Sequence, residues 1–345
     1  MTKIITIPDV EKLIAQHGMQ TFFRDLIGYL REDFLYWDKF HKIPRIAAHV
    51  PNGIIELMPI WDDRFFSYKY VNGHPNNTES GHLTVVALGC LADIATGYPF
   101  LLSEMTLLTA IRTAATSALA SDLLARRDAT TMTIIGLGSQ SEFQVLAHLA
   151  VRPIDTIRYF DLDPHAMERF RNNMKECGLQ LIECRTAEEA VKGGEIITTA
   201  TAAVGHQEVV KDAWVLPGMH INGIGGDSPG KTELSLATLK RARIFIEFLP
   251  QTQMEGEIQR LTPEERSQHI GGELWELISN RKKGRQSEEE ITLYDSVGFA
   301  LEDYSTLRLV HDLTKKYNLG NDFPIIPKLS DPKNLISLLK NHHLN

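Results

Sequence analysis

Residues 131–141 read TMTIIGLGSQS, in which a short apolar run is followed at once by a glycine-rich turn. The apolar run predicts a buried strand, and the pattern after the turn predicts a helix that extends to about Val151. A second predicted strand, Thr156–Phe160, ends at Asp161. The order strand, glycine turn, helix, strand is that of a βαβ unit, so the sequence predicts a parallel sheet here.

The turn matches the GxGxxG pattern except that Ser141 replaces the third glycine. Gly136 permits the tight turn, and Gly138 lets a pyrophosphate approach the backbone at the N-terminus of the helix. An acid at the end of the second strand accepts hydrogen bonds from a ribose 2′-OH, which favours NAD over NADP. Asp161 is that acid, whereas Asp163 could equally cap the helix at Pro164. The alternative is a βα turn that binds no ligand.

Beyond residue 130 the chain alternates between short apolar runs and helical patterns. The predicted strands are 131–135, 156–160, 179–183, 195–200, 220–224, 244–247 and 291–294. This alternation predicts an α/β fold with a Rossmann-type doubly wound parallel sheet. We assign residues 114–317 to an NAD-binding domain. Residues 1–113, with 318–345 packing back, form a second α/β domain for substrate binding and dimerisation.

The first part of the chain has a different texture. Residues 8–40 predict a helix, and 110–127 predict a long one rich in Ala and Leu. Between them, 54–59, 65–71 and 83–91 predict strands separated by turn signals. Residues 45–110 contain too few helices to cover both faces of a sheet, and an uncovered face tends to be closed by a partner. We therefore expect a homodimer.

A second glycine loop, 225–232, reads GGDSPGKT and matches the P-loop pattern. A P-loop directs successive backbone N–H groups at phosphates, and Pro229 has none to give. We therefore reject an ATP site. Two interpretations remain: Asp227 or Ser228 caps a following helix, 233–241, or Asp227 is an acid at the carboxyl edge of the parallel sheet, where ligands bind in such folds.

Composition excludes several classes of protein. The chain has 345 residues and a formal charge of −8, so no global basic surface favours nucleic acid or anionic membrane. No apolar stretch is long enough to predict a transmembrane helix, and the N-terminal segment lacks the apolar core of a signal peptide. Three cysteines in no paired motif predict reduced thiols in the cytoplasm. The histidines show no metal-ligand spacing, so we expect no metal.

If a dinucleotide binds the second domain, the substrate belongs to the first. Arg45, Lys69 and Arg112 are candidate holders of an anion, and Arg112 begins a helix that otherwise consists mostly of apolar residues. Glu56 lies in an apolar strand, where an acid is either exposed by alternation or functional. Taken one at a time, each of these four residues is more often a surface charge or part of a structural ion pair.

These residues lie in blocks that are similar to the ornithine cyclodeaminase/mu-crystallin family over nearly the whole chain. The blocks are 55–59 (IELMP), 68–75 (YKYVNGHP), 97–99 (GYP), 101–104 (LLSE), 112–117 (RTAATS), 138–144 (GSQSEFQ), 225–234 (GGDSPGKTEL), 255–259 (EGEIQ) and 295–304 (DSVGFALEDY). Such long and unusual blocks are far more specific than the glycine turn alone. In this family Ser141 is not a departure.

The resemblance implies conversion of L-ornithine to L-proline and ammonia, with a tightly held NAD that is reduced and reoxidised in each cycle. It implies that Arg45, Lys69 and Arg112 hold the substrate carboxylate, and that Val297 lines the substrate pocket. Asp227 is the implied acid/base residue, with Glu56 nearby. The implied cofactor contacts are Thr84, Arg112, Gly136, Gly138, Ser139, Gln140, Asp161, Thr201, Lys231 and Ser296.

Two other reactions on the same fold stay open at this stage. One is an NAD(P)H-dependent ketimine or pyrroline-carboxylate reductase, which would consume a reduced cofactor in each turnover. The other is a lysine cyclodeaminase, because one methylene in a pocket changes binding by only about 1–3 kcal/mol. A non-catalytic binding protein is a further reading, against which the intact acids and cations argue.

Overall fold

A computed structural model describes residues 1–201 and 203–339. The strands, in chain order, are β1 (Thr2–Ile5), β2 (His41–Lys42), β3 (Ile46–Val50), β4 (Gly53–Trp61), β5 (Phe65–Gly73), β6 (Ala87–Asp93), β7 (Pro99–Glu104), β8 (Thr131–Ile135), β9 (Thr156–Phe160), β10 (Gln180–Glu183), β11 (Ile196–Thr199), β12 (His206–Val210), β13 (His220–Gly223), β14 (Thr232–Leu234), β15 (Arg243–Ile246), β16 (Ile270–Glu273), β17 (Thr292–Asp295) and β18 (Asn321–Phe323).

The α-helices are α1 (Ile7–His17), α2 (Met19–Leu35), α3 (Thr106–Leu124), α4 (Ser141–Leu149), α5 (Pro164–Met174), α6 (Ala187–Lys192), α7 (Leu236–Arg241), α8 (Leu249–Glu255), α9 (Pro263–His269), α10 (Leu274–Ile278) and α11 (Ala300–Tyr317). Short 3-10 helices lie at Trp37–Lys39, Pro75–Ser80, Asp212–Trp214, Glu257–Arg260 and Leu335–Leu338.

Eight strands form a fully parallel sheet in the order β10-β9-β8-β11-β13-β17-β15-β16. The first strand of the series, β8, lies inside the sheet with β9 and β10 on one side and β11 and β13 on the other. This is the order of a doubly wound nucleotide-binding sheet. The predicted Rossmann-type fold class is confirmed, and seven of its eight strands coincide with predicted runs; β16 was not predicted.

A second sheet is built from the two ends of the chain, in the order β18-β1-β7-β6-β5-β4-β2, with β3 also paired to β4. The sequence predicted β4 and β5 but missed β1, β2, β3, β7 and β18. It also began β6 too early, because residues 83–86 precede the strand. Helix α11 packs on α2 and α3 and on strands β4, β5 and β6. One large apolar core, with α3 buried almost throughout, joins these elements.

The single helix predicted over 8–40 is wrong. Gly18 has φ +84°, a backbone conformation that glycine adopts readily, and it ends α1 and begins α2. The helix predicted over 233–241 is also wrong in its first part, because Thr232–Leu234 pairs with β12 as a strand. Helix α7 begins only at Leu236, and Ser235 caps it by accepting a hydrogen bond from the Thr238 N–H.

Among the described residues, no helix has the length and the apolar character needed to span a membrane.

Candidate active site

The glycine turn after β8 is shaped as the sequence predicts. Gly136 has φ +91°, and a Cβ at this position would lie 2.6 Å from the Ala200 carbonyl oxygen, so only glycine fits. A Cβ at Gly138 would meet no atom within 4 Å, which leaves the backbone open to a ligand. The Ser141 hydroxyl donates to the Gly138 carbonyl at 2.8 Å and closes the turn at the start of α4. Ser139 is exposed and Gln140 is half-buried.

Asp161 lies at the carboxyl end of β9, directly beside this turn. One of its carboxylate oxygens accepts the Leu137 N–H at 2.6 Å, and the other accepts the Asp163 N–H at 2.8 Å. Asp163 caps α5 by accepting the His165 N–H, so the two acids have different tasks. A cavity of about 830 Å³ opens next to Asp161, and Arg171 and Arg185 also line it. The geometry suits a ribose next to Asp161.

Three further loops reach the same carboxyl edge of the sheet. Thr201 follows β11, where its N–H donates to the Glu233 carboxylate at 2.6 Å. After β13, Lys231 forms a 3.0 Å ion pair with Asp227 in the second glycine loop. After β17, the Ser296 hydroxyl donates to Glu247 at 2.6 Å. The predicted residues after β8, β9, β11, β13 and β17 therefore converge at one edge.

The second glycine loop is not a P-loop in shape either, since a strand and no helix follows it directly. The interpretation of Asp227 or Ser228 as a helix cap is wrong, because Ser235 caps α7. The position of Asp227 at the carboxyl edge agrees with the remaining interpretation, an acid placed for a ligand.

Lys69 and Arg112 come together around one buried acid that the sequence did not reveal. Lys69 Nζ lies 2.9 Å and Arg112 Nε 3.0 Å from the same oxygen of Asp303, while Arg112 Nη1 lies 2.8 Å from Glu302. Both cations are at least 95% buried. Burial, together with the positive charge of Arg112, lowers the pKa of Lys69 to about 8. Burial also raises the pKa of Glu302 to about 8.

Arg45 occupies the adjoining position and is held on all sides. Its Nη1 donates to Glu56 at 3.1 Å, and its Nη2 donates to the carbonyls of Val297 and Gly298 at 2.6 Å each. Its Nε lies 3.2 Å from Glu255 Oε2. A Cβ at Gly298 would lie 2.5 Å from Arg112 Nη1, so this glycine brings the loop after β17 against Arg112 as well. The loop thus connects Arg45 to the Lys69–Arg112 pair.

Carboxylates that carry perturbed pKa values surround this group. Burial raises the pKa of Glu255 to about 7, and although Arg45 lowers it, Glu56, Asp227 and Glu247 raise it further. Burial also raises the pKa of Asp295 to about 7, although it accepts the N–H groups of Glu257 and Ile258. Perturbed carboxylates at the carboxyl edge of a parallel sheet are typical of an active site.

Thr84 is the predicted residue that the structure leaves apart from these groups. It precedes β6, and its carbonyl accepts the His74 N–H at 2.8 Å. Within the described ranges, its hydrogen bonds run to this loop and to Asn72 and not to the parallel sheet. Conversely, the sequence assigned no role to Glu247, Glu255, Glu302 or Asp303. Glu255 lies in the block 255–259, and Glu302 and Asp303 lie in the block 295–304, whereas the signal for Glu247 is an acid at the end of the apolar run 244–247.

Fold and site together define a protein with a doubly wound dinucleotide-type sheet and a second, mixed sheet, with a buried set of cations and carboxylates between them. The family model described as ornithine cyclodeaminase/mu-crystallin family matches residues 9–318. The chain therefore belongs to the ornithine cyclodeaminase/mu-crystallin family, and the resemblance seen in the sequence is confirmed.

Similar proteins agree with this assignment. An ornithine cyclodeaminase of Agrobacterium fabrum is 48% identical over 335 residues, which cover 97% of this chain and 94% of the relative. An archaeal alanine dehydrogenase, solved as a dimer with bound NAD, has a TM-score of 0.87 and 32% identity, covering 94% of this chain and 99% of that one. A lysine cyclodeaminase, solved to explain recognition of L-lysine, L-ornithine and L-2,4-diaminobutyric acid, has a TM-score of 0.88 and 29% identity, covering 98% and 99%.

Proposed function

We propose that the protein converts L-ornithine to L-proline and ammonia with a recycled NAD, as an ornithine cyclodeaminase does. The observation that carries this proposal is the buried group of Lys69, Arg112 and Arg45, which adjoins several carboxylates at the edge that bears the glycine turn. A site that binds an amino acid with one carboxylate and two amines needs cations for the carboxylate and carboxylates for the amines. The 48% identity to an ornithine cyclodeaminase over nearly the whole chain supports the same conclusion.

NAD fits the glycine turn, since Gly138 is open and Asp161 lies beside it. When bound, NAD accepts a hydride from the substrate and later returns it. We propose that the residues holding it are Gly136, Gly138, Ser139, Gln140, Asp161, Thr201, Lys231 and Ser296, with Thr84 and Arg112. Thr84 has the least structural support in this set, because its described hydrogen bonds run to His74 and Asn72 and not to the parallel sheet.

Lys69 and Arg112 are the best candidates for binding the substrate carboxylate. A Lys ammonium has three donors, and Lys69 gives one of them to Asp303 among the described contacts. Arg112 uses Nε and Nη1 on Asp303 and Glu302, which leaves Nη2 for a ligand. Arg45 is more fully engaged by Glu56 and by two carbonyls. We propose that Arg45 adds positive charge and aligns the wall formed by Val297.

Asp227 is the proposed acid/base residue for the amines. Its side chain is about half exposed, at the edge where the parallel strands end, and Lys231 holds it at 3.0 Å. A carboxylate in that position can take a proton from an amine and return it. Glu56 lies nearby, paired with Arg45, and we propose that it supports this chemistry through its charge.

L-Lysine is the second candidate substrate, because the similar lysine cyclodeaminase structure concerns recognition of L-lysine as well as L-ornithine. One methylene changes binding by about 1–3 kcal/mol, so the ratio of kcat/KM for the two substrates decides between them.

The test of this function is to incubate the purified protein with L-ornithine and trace NAD. We expect proline and ammonia in molar excess over the cofactor. A reductase would instead consume NADH stoichiometrically with a cyclic imine and leave ornithine unchanged. Asp227→Asn should bind NADH normally and lose turnover by about 10²–10⁴-fold, because Asn cannot accept a proton. The exchange leaves α7 intact, since Ser235 is its cap. Turnover of Asp227→Asn near that of the parent would remove Asp227 from the mechanism.

We also propose a homodimer, formed through the open face of the sheet of β4, β5 and β6. Ile46, Leu57, Tyr70 and Leu88 are cross-strand neighbours in one row, and each is at least 38% exposed. Such a continuous apolar row on a sheet suits a second copy of the same surface. The archaeal alanine dehydrogenase of the same fold was solved as a dimer. Light scattering should give about twice 38.9 kDa, and Leu57→Glu with Leu88→Glu should give a monomer.

The proposed domains are 1–113 with 318–345, which would bind substrate and dimerise, and 114–317, which would bind NAD. The pairing of β18 with β1 supports the return of the C-terminal segment to the first sheet. The part of this segment at 340–345 lies outside the described residues. We further propose a cytoplasmic location, in keeping with the three free cysteines, Cys90, Cys177 and Cys184.

A further inference from the structure

Glu255, the last residue of α8, is a carboxylate for which the reaction as described so far has no use. It is only 8% exposed. Its Oε2 lies 3.2 Å from Arg45 Nε but accepts no hydrogen bond from any described residue, and that nitrogen likewise donates none. Glu56 differs, because both of its oxygens accept from Arg45 Nη1. A buried carboxylate oxygen without a donor costs free energy unless something else uses it.

The proposed reaction needs more than one proton acceptor. L-Ornithine enters with two ammonium groups, and the products are zwitterionic L-proline and an ammonium ion, so charge balances overall. Before that, the α-nitrogen must lose a proton so that the α-carbon can be oxidised. The δ-nitrogen must lose one so that its lone pair can form the new C–N bond. Both protons are later returned: one to the ammonia released when the old C–N bond breaks, and one to the ring nitrogen after the α-carbon has been reduced again.

We propose that Glu255 is the second proton-exchanging carboxylate of this site, taking the proton of the distal ammonium while Asp227 serves the α-amine. This inference rests on the proposed function. In the step, the ammonium N–H bond breaks, the proton passes to a Glu255 oxygen, and the freed lone pair attacks the oxidised α-carbon. Glu255 later gives the proton back.

The surroundings of Glu255 suit such an exchange near neutral pH. The groups that face it are Arg45 before β3, Glu56 on β4, Asp227 after β13 and Glu247 after β15. Burial and the three acids oppose its ionised form, whereas Arg45 favours it, and together they raise its pKa to about 7. A base with a pKa near the working pH transfers protons in both directions.

The test compares Glu255→Gln with Asp227→Asn in a single turnover with L-ornithine and NAD, followed by nicotinamide absorbance and by proline. We expect Asp227→Asn to form neither NADH nor proline. Glu255→Gln should form up to one equivalent of NADH per site while proline formation falls about 10²-fold or more, because ring closure is blocked. Glu255→Asp should recover part of the proline, and the exposed-surface control Glu264→Gln should behave as the parent.

Parallel loss of NADH and proline in Glu255→Gln, or normal amounts of both, would overturn the inference. If Glu255→Gln does not fold, the parent protein decides. Below about pH 6, where Glu255 is protonated, the parent protein should accumulate NADH while proline formation lags behind. A ratio of NADH to proline that does not change with pH would contradict the proposed role of Glu255. An infrared titration of the cofactor-free protein should show a carboxyl group that ionises near neutral pH and whose signal shifts in Glu255→Asp, which separates Glu255 from Asp295 and Glu302. A parent protein that makes no proline at any pH refutes the proposed function instead.

Discussion

Glu247 accepts a hydrogen bond from Ser296 Oγ at 2.6 Å, and both residues are almost completely buried. The same carboxylate accepts the Tyr294 hydroxyl at 3.0 Å and the N–H groups of Val297 and Gly298 at 3.2 Å each. It therefore fixes the whole loop after β17. Since the carbonyls of that loop accept hydrogen bonds from Arg45, Glu247 sets the position of a cation that directly precedes β3 of the other sheet.

Glu247→Gln should loosen the loop after β17 but leave the residues of the site in place. The amide keeps one acceptor oxygen but brings an NH₂ group towards donors, so about 1–3 kcal/mol of unfolding free energy should be lost. We expect KM for ornithine to rise about tenfold. Urea unfolding and steady-state kinetics measure the two effects, with the exposed Glu289→Gln as the matched control. An unchanged KM would show that the loop does not depend on Glu247.

Asp161 should make the protein prefer NAD to NADP. A 2′-phosphate would meet the carboxylate, which is held by the Leu137 and Asp163 N–H groups. In Asp161→Ser the 2′-phosphate would meet Arg185 and Arg171 in the same cavity. The ratio of the affinities for NADH and NADPH should therefore fall by about tenfold or more. Fluorescence titration with NADH and NADPH measures both affinities, with Asp155→Ser as the control, since Asp155 is exposed at the opposite end of β9. Equal affinities in the parent protein would refute the assignment of Asp161.

The parallel sheet could be predicted because its signals are local. Each strand is a short apolar run. The turn at the end of β8 needs glycine at position 136, because a Cβ there would clash with the Ala200 carbonyl. The first sheet was harder to predict. β1 and β18 are short, and they pair only because the two chain ends meet. The break between α1 and α2 depends on the conformation of one residue, Gly18, inside a helical pattern.

The residues of the candidate active site show the same contrast between signals that are local in the sequence and contacts that are not. Sequence blocks drew attention to Lys69 and Arg112, but the acids that hold them, Glu302 and Asp303, lie about 190 to 234 residues further along the chain. No periodicity relates residues so far apart. Their proximity follows from the packing of α11 against α3 and β5, which only the folded chain reveals.

His220 and His148 should make the protein sensitive to acid. Burial lowers the pKa of His220 to about 3 and that of His148 to about 4. In the unfolded chain both histidines titrate near pH 6.5. Below that pH the unfolded state therefore binds more protons than the folded state, and the free energy of unfolding decreases as the pH is lowered. The free energy of unfolding should decrease between about pH 6.5 and pH 4. His220→Gln should reduce this slope in urea titrations, whereas the exposed His165→Gln should not. A slope that His220→Gln leaves unchanged would assign the acid sensitivity elsewhere.

Lys69 should limit substrate binding at high pH. Its pKa of about 8, lowered by burial and by Arg112, means that its ammonium loses its proton within the working range. A neutral Lys69 no longer attracts a carboxylate, so kcat/KM for ornithine should fall by about tenfold per pH unit above pH 8. The substrate amines also titrate there, and Lys69→Arg, which stays charged, separates the two causes. Its decline should begin at higher pH, whereas the exposed Lys283→Arg should match the parent. Superimposable profiles for the parent and Lys69→Arg would assign the decline to the substrate and not to Lys69.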